Sequence, residues 1–211
     1  MPDRTAFLTF LIASLALNLA PGPDMLYVLG RSLGQGRRAG IVSSLGIFVG
    51  CLVHIAAAAL GLAALLRASV VAFNLIRYAG AAYLIYLGAR MLFSKDAQNT
   101  LASGATTQPA SLRRIFMQGV ISDVLNPKVA MFFVAFLPQF VNPARGPVVF
   151  QIVVLGLILD VGGTLVNLGV AFFAGEIGNR LRESDRIARW QRWFTGSIFI
   201  GLGVRLGLAR R

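Results

Sequence analysis

This sequence carries little charge. Only 13% of its 211 residues are charged, and only eight of them are acidic. A soluble domain carries about a quarter charged residues, so this chain has too little polar surface for a water-facing globule. Hydrophobic residues make up 56% of the chain and its mean hydropathy is +0.73. The composition predicts an all-α integral membrane protein.

Cysteine and histidine are almost missing as well. The chain has one of each, Cys51 and His54, so no internal disulfide can form. No nucleophile–base arrangement or cofactor motif occurs, so we expect no catalytic residue, no cofactor and no enzyme activity. A protein metal site needs about four ligands. Cys51 and His54 lie on one helix face but supply only two, so we expect no bound metal.

Six apolar runs are present, and about 20 residues suffice to cross a bilayer as a helix. The runs are 6–29, 41–66, 70–93, 115–141, 148–176 and 194–208. The first run is longer than the core of a signal peptide and begins beside Asp3 and Arg4, so we expect an uncleaved first span. The pattern predicts six transmembrane helices.

The basic residues predict the orientation. Twelve of the twenty lie after spans one, three and five, and seven lie on the opposite side. The first set is Arg31, Arg37, Arg38, Arg90, Lys95, Arg113, Arg114, Arg180, Arg182, Arg186, Arg189 and Arg192. Because positive charge favours the cytoplasmic side, we expect both termini to be periplasmic. No contiguous basic domain remains, so nucleic-acid binding is disfavoured.

One long polar stretch, "SKDAQNTLASGATTQPASLRR", divides the chain. Its small polar residues cannot form a core, so residues 94–114 are predicted to be a flexible cytoplasmic linker. Residues 1–93 and 115–211 then form two three-helix repeats. Three spans in each half force the halves to enter the membrane in opposite directions, as in the inverted repeats of secondary transporters.

Each half has a proline break in its first span. The sequence "NLAPGPD" contains Pro21 and Pro23, and "DVLNPK" contains Pro127. Proline has no N–H, so the carbonyl four residues earlier loses its partner. These are the carbonyls of Leu17, Leu19 and Asp123. Interrupted spans at corresponding places in two halves indicate a transporter binding site.

The chemistry of the two breaks suits a small zwitterion. The helix that restarts at Pro23 and the charge of Lys128 would attract a carboxylate. Asp24, Asp123 and the freed carbonyls would hold an ammonium group or a proton. Asp160 either carries a proton or neutralises Lys128, and the sequence leaves both interpretations open.

The asparagines and glycines allow two interpretations. Asn18 and Asn167 could face substrate or form interhelical hydrogen bonds. Glycine pairs four residues apart let helices approach closely, mostly within the chain, and one pair could form a homodimer face. The pairs are Gly30/Gly34, Gly36/Gly40, Gly46/Gly50 and Gly203/Gly207.

Three segments resemble the LysE/RhtB family of amino-acid exporters: "LNLAPGPDMLYVLGRSLGQGRRAG", "YAGAAYLIYLGARML" and "GVISDVLNPKVAMFFVAFLPQF". That family has a PGP motif in its first helix and an NPK motif in its second half. The resemblance implies a bacterial inner-membrane protein that exports amino acids or close derivatives, driven by the proton gradient. Members export basic amino acids, threonine, homoserine and its lactone, leucine or cysteine derivatives.

The expected binding residues combine this resemblance with the physical argument. The motif match gives Pro21, Gly22, Pro23, Asn126, Pro127 and Lys128, while Asn18 and Asp24 come from the break itself. The predicted proton-coupling residues are Asp24, Asp123 and Asp160. A heavy-metal exporter using Cys51 and His54 and a non-transport assembly protein remain the alternatives.

Overall fold

The structure is a computed structural model that describes residue 2, residues 4–68 and 110–174, and scattered positions between residues 75 and 92 and between residues 193 and 208. Every regular element in this part of the chain is helical. The α-helices are α1 (Arg4–Leu19), α2 (Pro23–Gln35), α3 (Arg37–Ala68), α4 (Leu112–Val124), α5 (Pro127–Met131) and α6 (Val148–Phe172). A π-helical turn (Phe132–Phe136) and a 3₁₀ turn (Leu137–Phe140) continue α5, and a second 3₁₀ turn covers Pro143–Arg145.

Four of the six predicted runs fall on described helices. α3 and α6 are long and apolar enough to cross a membrane unbroken, each with a mean hydropathy of 2.2. α1 with α2, and α4 with α5 and its continuation, each form a bent pair, with bends of 46° and 41°. The third and sixth runs and residues 94–109 lie largely outside the described residues. α4 begins at Leu112, three residues before the predicted boundary of the second half.

The outer surface is as apolar as a bilayer requires. Ile12, Leu60 and Leu165 expose 63%, 74% and 64% of their surface, and each lies on a helix that belongs to a candidate span. Large apolar side chains exposed along a whole span are unfavourable in water but suit hydrocarbon. The apolar surface and the composition therefore both indicate that the chain lies in a membrane.

α3 lies against both α4 and α6. Glycine permits the first of these contacts, because a Cβ on Gly46 would lie 2.3 Å from the backbone oxygen of Phe116. A Cβ on Gly119 would lie 2.7 Å from the backbone oxygen of Ser43. The predicted close approach at Gly46 and Gly50 therefore occurs within the chain, between α3 and α4.

Two apolar clusters stabilise the packing. The larger includes five buried phenylalanines, among which the Phe10 and Phe140 rings meet edge to face with centroids 5.3 Å apart. The smaller includes Val28, Leu29 and Ile47 on α2 and α3. Members of both clusters line the polar cavity described below.

A polar cluster joins α2 to α4. The Arg31 guanidinium donates to Oε1 of Gln35 (2.6 Å) and of Gln118 (2.8 Å), and the Tyr27 hydroxyl donates to the Ile115 carbonyl at 2.8 Å. The sequence placed Arg31 in the first loop, but α2 extends to Gln35 and Arg31 is buried within it. The hydrogen bonds of Arg31 replace those that its guanidinium would make with water if it were exposed.

Candidate functional site

The first break separates α1 from α2. α1 ends at Leu19, and Pro23 is the first residue of α2, the position where its missing N–H costs least. Gly22 precedes it in an extended conformation and provides no side-chain cap. A Cβ on Gly22 would lie 3.1 Å from Nζ of Lys128, so glycine leaves room for this lysine beside the break.

The second break separates α4 from α5. Asn126 caps α5, since its side-chain oxygen accepts a hydrogen bond from the backbone N–H of Lys128 at 3.0 Å. Pro127 again occupies the first helical position. Both breaks therefore have the same local form, in which a helix restarts on proline after a short interruption.

The two breaks meet, and Lys128 makes one of the contacts. Its Nζ donates to the carbonyls of Leu17 and Ala20, each at 2.9 Å. The Leu17 carbonyl is one of those that the prolines were predicted to free, and it otherwise accepts only a 3.3 Å bond from the Ala20 N–H in this region. A cation at the carbonyl end of α1 is also favoured by the helix dipole.

Asp24 makes the other contact between the breaks. Its carboxylate accepts hydrogen bonds from the Asn126 side-chain amide and, at 2.8 Å, from the Ser122 hydroxyl. Asp24 is 8% exposed and Asn126 is 2% exposed, so the pair is shielded from water. Each break thus places a side chain on the other, and the two form one polar centre.

A cavity of about 50 Å³ lies at this centre, more than the roughly 10–15 Å³ that one water molecule needs on the same measure. Its polar lining residues are Asn18, Asp24, Cys51, Asp123, Lys128, Asp160, Thr164 and Asn167. Leu17, Met25, Ile47, Val129 and Leu159 provide an apolar wall. The cavity therefore offers both charges of a zwitterion a counter-charge, next to a surface for an apolar group.

The acids of the cavity differ in their contacts. Asp24 is hydrogen-bonded through both oxygens, whereas Oδ2 of Asp123 and of Asp160 has no hydrogen-bond partner among the described residues. Both are buried, at 2% and 5% exposure. Within the part of the chain that the structure describes, no ion pair joins Asp160 to Lys128. Asp160 and Lys128 face the same cavity without direct contact.

The sequence-predicted residues divide into two groups. Asn18, Asp24, Asp123, Lys128 and Asp160 line the cavity. Pro21, Gly22, Pro23, Asn126 and Pro127 shape the two breaks instead and are not among its lining residues. Asn18 also donates to the Leu159 carbonyl at 3.1 Å, beside Gly162 and Gly163 of α6, where a Cβ would meet it at 3.2 and 3.0 Å. Asn18 therefore forms an interhelical hydrogen bond and also lines the cavity.

Two residues of the centre were missed by the sequence analysis. Ser122 donates to Asp24, and Thr164 lines the cavity with a buried hydroxyl. Thr164 could have been found by helical spacing, since it follows Asp160 by four residues and residues four apart share a face. Ser122 could not, because α4 ends at Val124, before Asn126.

Cys51 and His54 lie close to the centre on α3. Cys51 is buried and lines the cavity, and the His54 Nε2 atom lies 2.9 Å from the Asp123 carbonyl oxygen. In the described ranges, no three His, Cys, Asp or Glu side chains come together closely enough to hold a metal ion. The structure therefore adds no support for the heavy-metal alternative.

Comparison with known proteins agrees with the resemblance. The family model described as LysE type translocator matches residues 15–210. An uncharacterized membrane protein of Pseudomonas aeruginosa is 32% identical over 207 residues, covering 97% of this chain and 96% of that protein. No solved structure matches the chain.

Among the relatives are several named leucine efflux protein. A leucine efflux protein of Salmonella typhimurium is 30% identical over 202 residues, covering 94% of this chain and 92% of that protein. A leucine efflux protein of Enterobacter sp. is 28% identical over 200 residues, covering 95% of this chain and 94% of that protein. With its apolar helices and relatives named as membrane and efflux proteins, the chain is a multi-pass protein of the bacterial inner membrane, and it belongs to the LysE type translocator family.

Proposed function

We propose that this protein exports amino acids with uncharged, aliphatic side chains in exchange for protons. The observation that carries the proposal is the junction of the two proline breaks at one cavity, where Lys128 and Asp24 present opposite charges. Family membership supports transport as the activity.

The amino acid would bind by replacing contacts that now join the breaks. Its carboxylate pairs with Lys128, which then leaves the carbonyls of Leu17 and Ala20. Its ammonium group takes those carbonyls and the carboxylate of Asp24. The carboxylate thus replaces the carbonyls as the partner of Lys128, and the ammonium group replaces Lys128 as the partner of the carbonyls. No buried charge is left unpaired.

The apolar wall favours an aliphatic side chain. Met25 of α2, Ile47 of α3, Val129 of α5 and Leu159 of α6 all line the cavity. The names of the leucine efflux proteins point the same way.

Proton coupling is assigned to Asp24, Asp123 and Asp160. An intramembrane carboxylate facing a cavity is by default a functional group. Asp123 and Asp160 are the stronger candidates, because each has a buried oxygen that none of the described residues engages by a hydrogen bond. Protonating one of them from the periplasm and deprotonating it in the cytoplasm would drive the amino acid outward.

Alternating access would arise from movement of one half of the chain against the other. Residues 1–93 and 115–211 form the moving units in this scheme, as a 3+3 inverted repeat with periplasmic termini and a cytoplasmic linker at 94–114. The direct contacts between the breaks support this, because α1 and α2 belong to one unit and α4 and α5 to the other. The centre needs residues from one chain only, so a homodimer is compatible with the scheme but not required.

The test uses purified protein in proteoliposomes with an imposed pH gradient. Labelled leucine, threonine, lysine and homoserine lactone are offered to the wild type and to Lys128→Met, with Arg113→Met as the control that removes an exposed arginine on α4. We expect gradient-driven leucine transport that Lys128→Met lowers about a hundredfold or more, because a buried pairing charge contributes roughly 3 kcal/mol.

Four results would contradict parts of the proposal. Transport of lysine in preference to leucine would refute the substrate class. Leucine transport that does not depend on the pH gradient would refute proton exchange. Leucine transport that continues after Asp24, Asp123 and Asp160 are all replaced by Asn would also refute it. Absence of transport across the whole panel, by protein shown to be folded, would refute the function itself.

A further inference from the structure

The carbonyl freed at the second break has a partner that the proposed mechanism does not use. Pro127 deprives the Asp123 carbonyl of its helical N–H, and the His54 Nε2 atom lies 2.9 Å from that oxygen. The same carbonyl oxygen also accepts a hydrogen bond from the Asn126 N–H, three residues later, at 2.9 Å. This is the spacing of a 3₁₀ turn. A carbonyl oxygen only accepts hydrogen bonds, so Nε2 of His54 must carry a hydrogen and donate it.

The arrangement mirrors that of the first break. There the Leu17 carbonyl, freed by Pro21, accepts from Lys128 across the centre. Lys128 lies in the second half of the chain and donates to a carbonyl at the first break. His54 lies in the first half and donates to a carbonyl at the second break. Each break is therefore held by a side-chain N–H from the opposite half of the chain.

The surroundings of His54 keep the ring in place. The Phe133 ring stacks on it with an interplanar angle of 13° and centroids 5.9 Å apart. Nε2 also lies 3.8 Å from Oδ2 of Asp123, the oxygen that no described residue engages by a hydrogen bond. On the adjoining turn of α3, a Cβ on Gly50 would meet the Asp123 side chain at 2.8 Å. α3 thus positions both the carbonyl and the carboxylate of Asp123.

From this geometry we infer that His54 is a positioning residue, which holds the second break so that Asp123 faces the cavity and Asn126 reaches Asp24. It acts through its Nε2–H donor rather than by contact with substrate, and the inference deepens the proposed transport function on which it rests. A side chain that offers an N–H at the same reach should therefore replace it.

The first experiment does not depend on transport. His54 is the only histidine of the chain, so ¹⁵N-histidine labelling, with a purification tag that lacks histidine, gives the spectrum of this ring alone. We expect a hydrogen on Nε2 that exchanges slowly with water. We also expect the Nε2 signal to shift in Pro127→Ala, where a backbone N–H again competes for the Asp123 carbonyl. A ring with its hydrogen on Nδ1 alone would overturn the inference, even if the protein transported nothing.

The second experiment compares substitutions at His54. His54→Gln keeps an N–H donor at about the same reach and should transport leucine within roughly threefold of wild type. His54→Leu removes the donor and should lower the maximal rate by about tenfold or more, the equivalent of one hydrogen bond to a buried carbonyl. Val53→Ala, at a half-exposed neighbouring position on α3, is the matched control.

Each result separates the inference from the proposed function. Leucine transport by the wild type together with undiminished transport by His54→Leu would refute the positioning role and leave the function intact. Equal loss in His54→Gln and His54→Leu would also refute it, because the ring itself would then be required. No transport by the wild type would refute the function, and the NMR measurement would still decide the role of His54.

Discussion

At the scale of single residues, the centre is built from groups that serve two purposes. Asn126 caps α5 through its oxygen and donates to Asp24 through its nitrogen. The backbone N–H of Lys128 donates to the Asn126 side chain. The ammonium group of Lys128 donates to the carbonyls of Leu17 and Ala20 at the end of α1. A buried polar network is favourable only when every member is satisfied, so we expect strong coupling between these side chains.

Asn126 and Asp24 allow a test of that coupling. In Asn126→Asp, two carboxylates would face each other out of contact with water, and we expect the free energy of unfolding to fall by about 2 kcal/mol or more. Adding Asp24→Asn restores one amide and one carboxylate, and an aspartate at residue 126 can still cap α5. The double variant should therefore regain most of the stability, as measured by thermal unfolding in detergent.

The single variant Asp24→Asn is the control for this cycle. It keeps the shape of the side chain and removes its charge, so we expect little change in stability but loss of transport. If the destabilisations of the two single variants simply add in the double variant, Asp24 and Asn126 do not interact directly.

At the scale of secondary-structure elements, glycine sets the distance between α3 and α4. That distance brings His54 and Gly50 against Asp123, so helix packing and site geometry cannot vary independently. The obstacle that a side chain at Gly46 would meet is the backbone of α4, which cannot rotate aside as a flexible side chain could.

Two glycines of α3 provide a matched pair for this prediction. Gly46→Ala should lower the free energy of unfolding by about 1–3 kcal/mol, the usual cost of overpacking, and should reduce transport by moving α4. Gly61→Ala is the control, because a Cβ there has nothing within 4 Å and alanine favours the helix. Thermal unfolding of the two variants in parallel makes the comparison. Equal behaviour of the two would contradict the packing argument.

At the scale of the whole molecule, orientation follows from charge. The arginine-rich segments alternate with apolar spans, and the side that holds more of them is expected to be cytoplasmic. The same alternation predicts that the 94–114 stretch lies inside the cell and the N-terminus outside.

The single cysteine makes the orientation simple to test. In a Cys51→Ala background, cysteine is introduced as Pro2→Cys or as Ser103→Cys, and intact spheroplasts are treated with a membrane-impermeant thiol reagent. We expect labelling at residue 2 at once, and labelling at residue 103 only after the membrane is opened. The reverse pattern would show that the protein is inserted the other way round.

The sequence alone determined the class of the protein and the positions of its interruptions. Low charge and long apolar runs require a bilayer, and a missing proline N–H frees a known carbonyl whatever the fold. The observed ends of α1 and α4, at Leu19 and Val124, follow directly from Pro21, Pro23 and Pro127. The resemblance to the exporter family was confirmed because it rests on local motifs that are present in the chain itself.

Only the tertiary structure decided what the freed carbonyls bind. The partners of Leu17 and Asp123, Lys128 and His54, lie 111 and 69 residues away in the chain, and no local pattern encodes a contact at such a distance. The role of Ser122 was hidden for the same reason, because its partner Asp24 lies 98 residues away. A missing hydrogen bond is a local property of proline, whereas its replacement depends on which helices pack together, and here the close glycine contacts of α3 with α4 make one of those replacements possible.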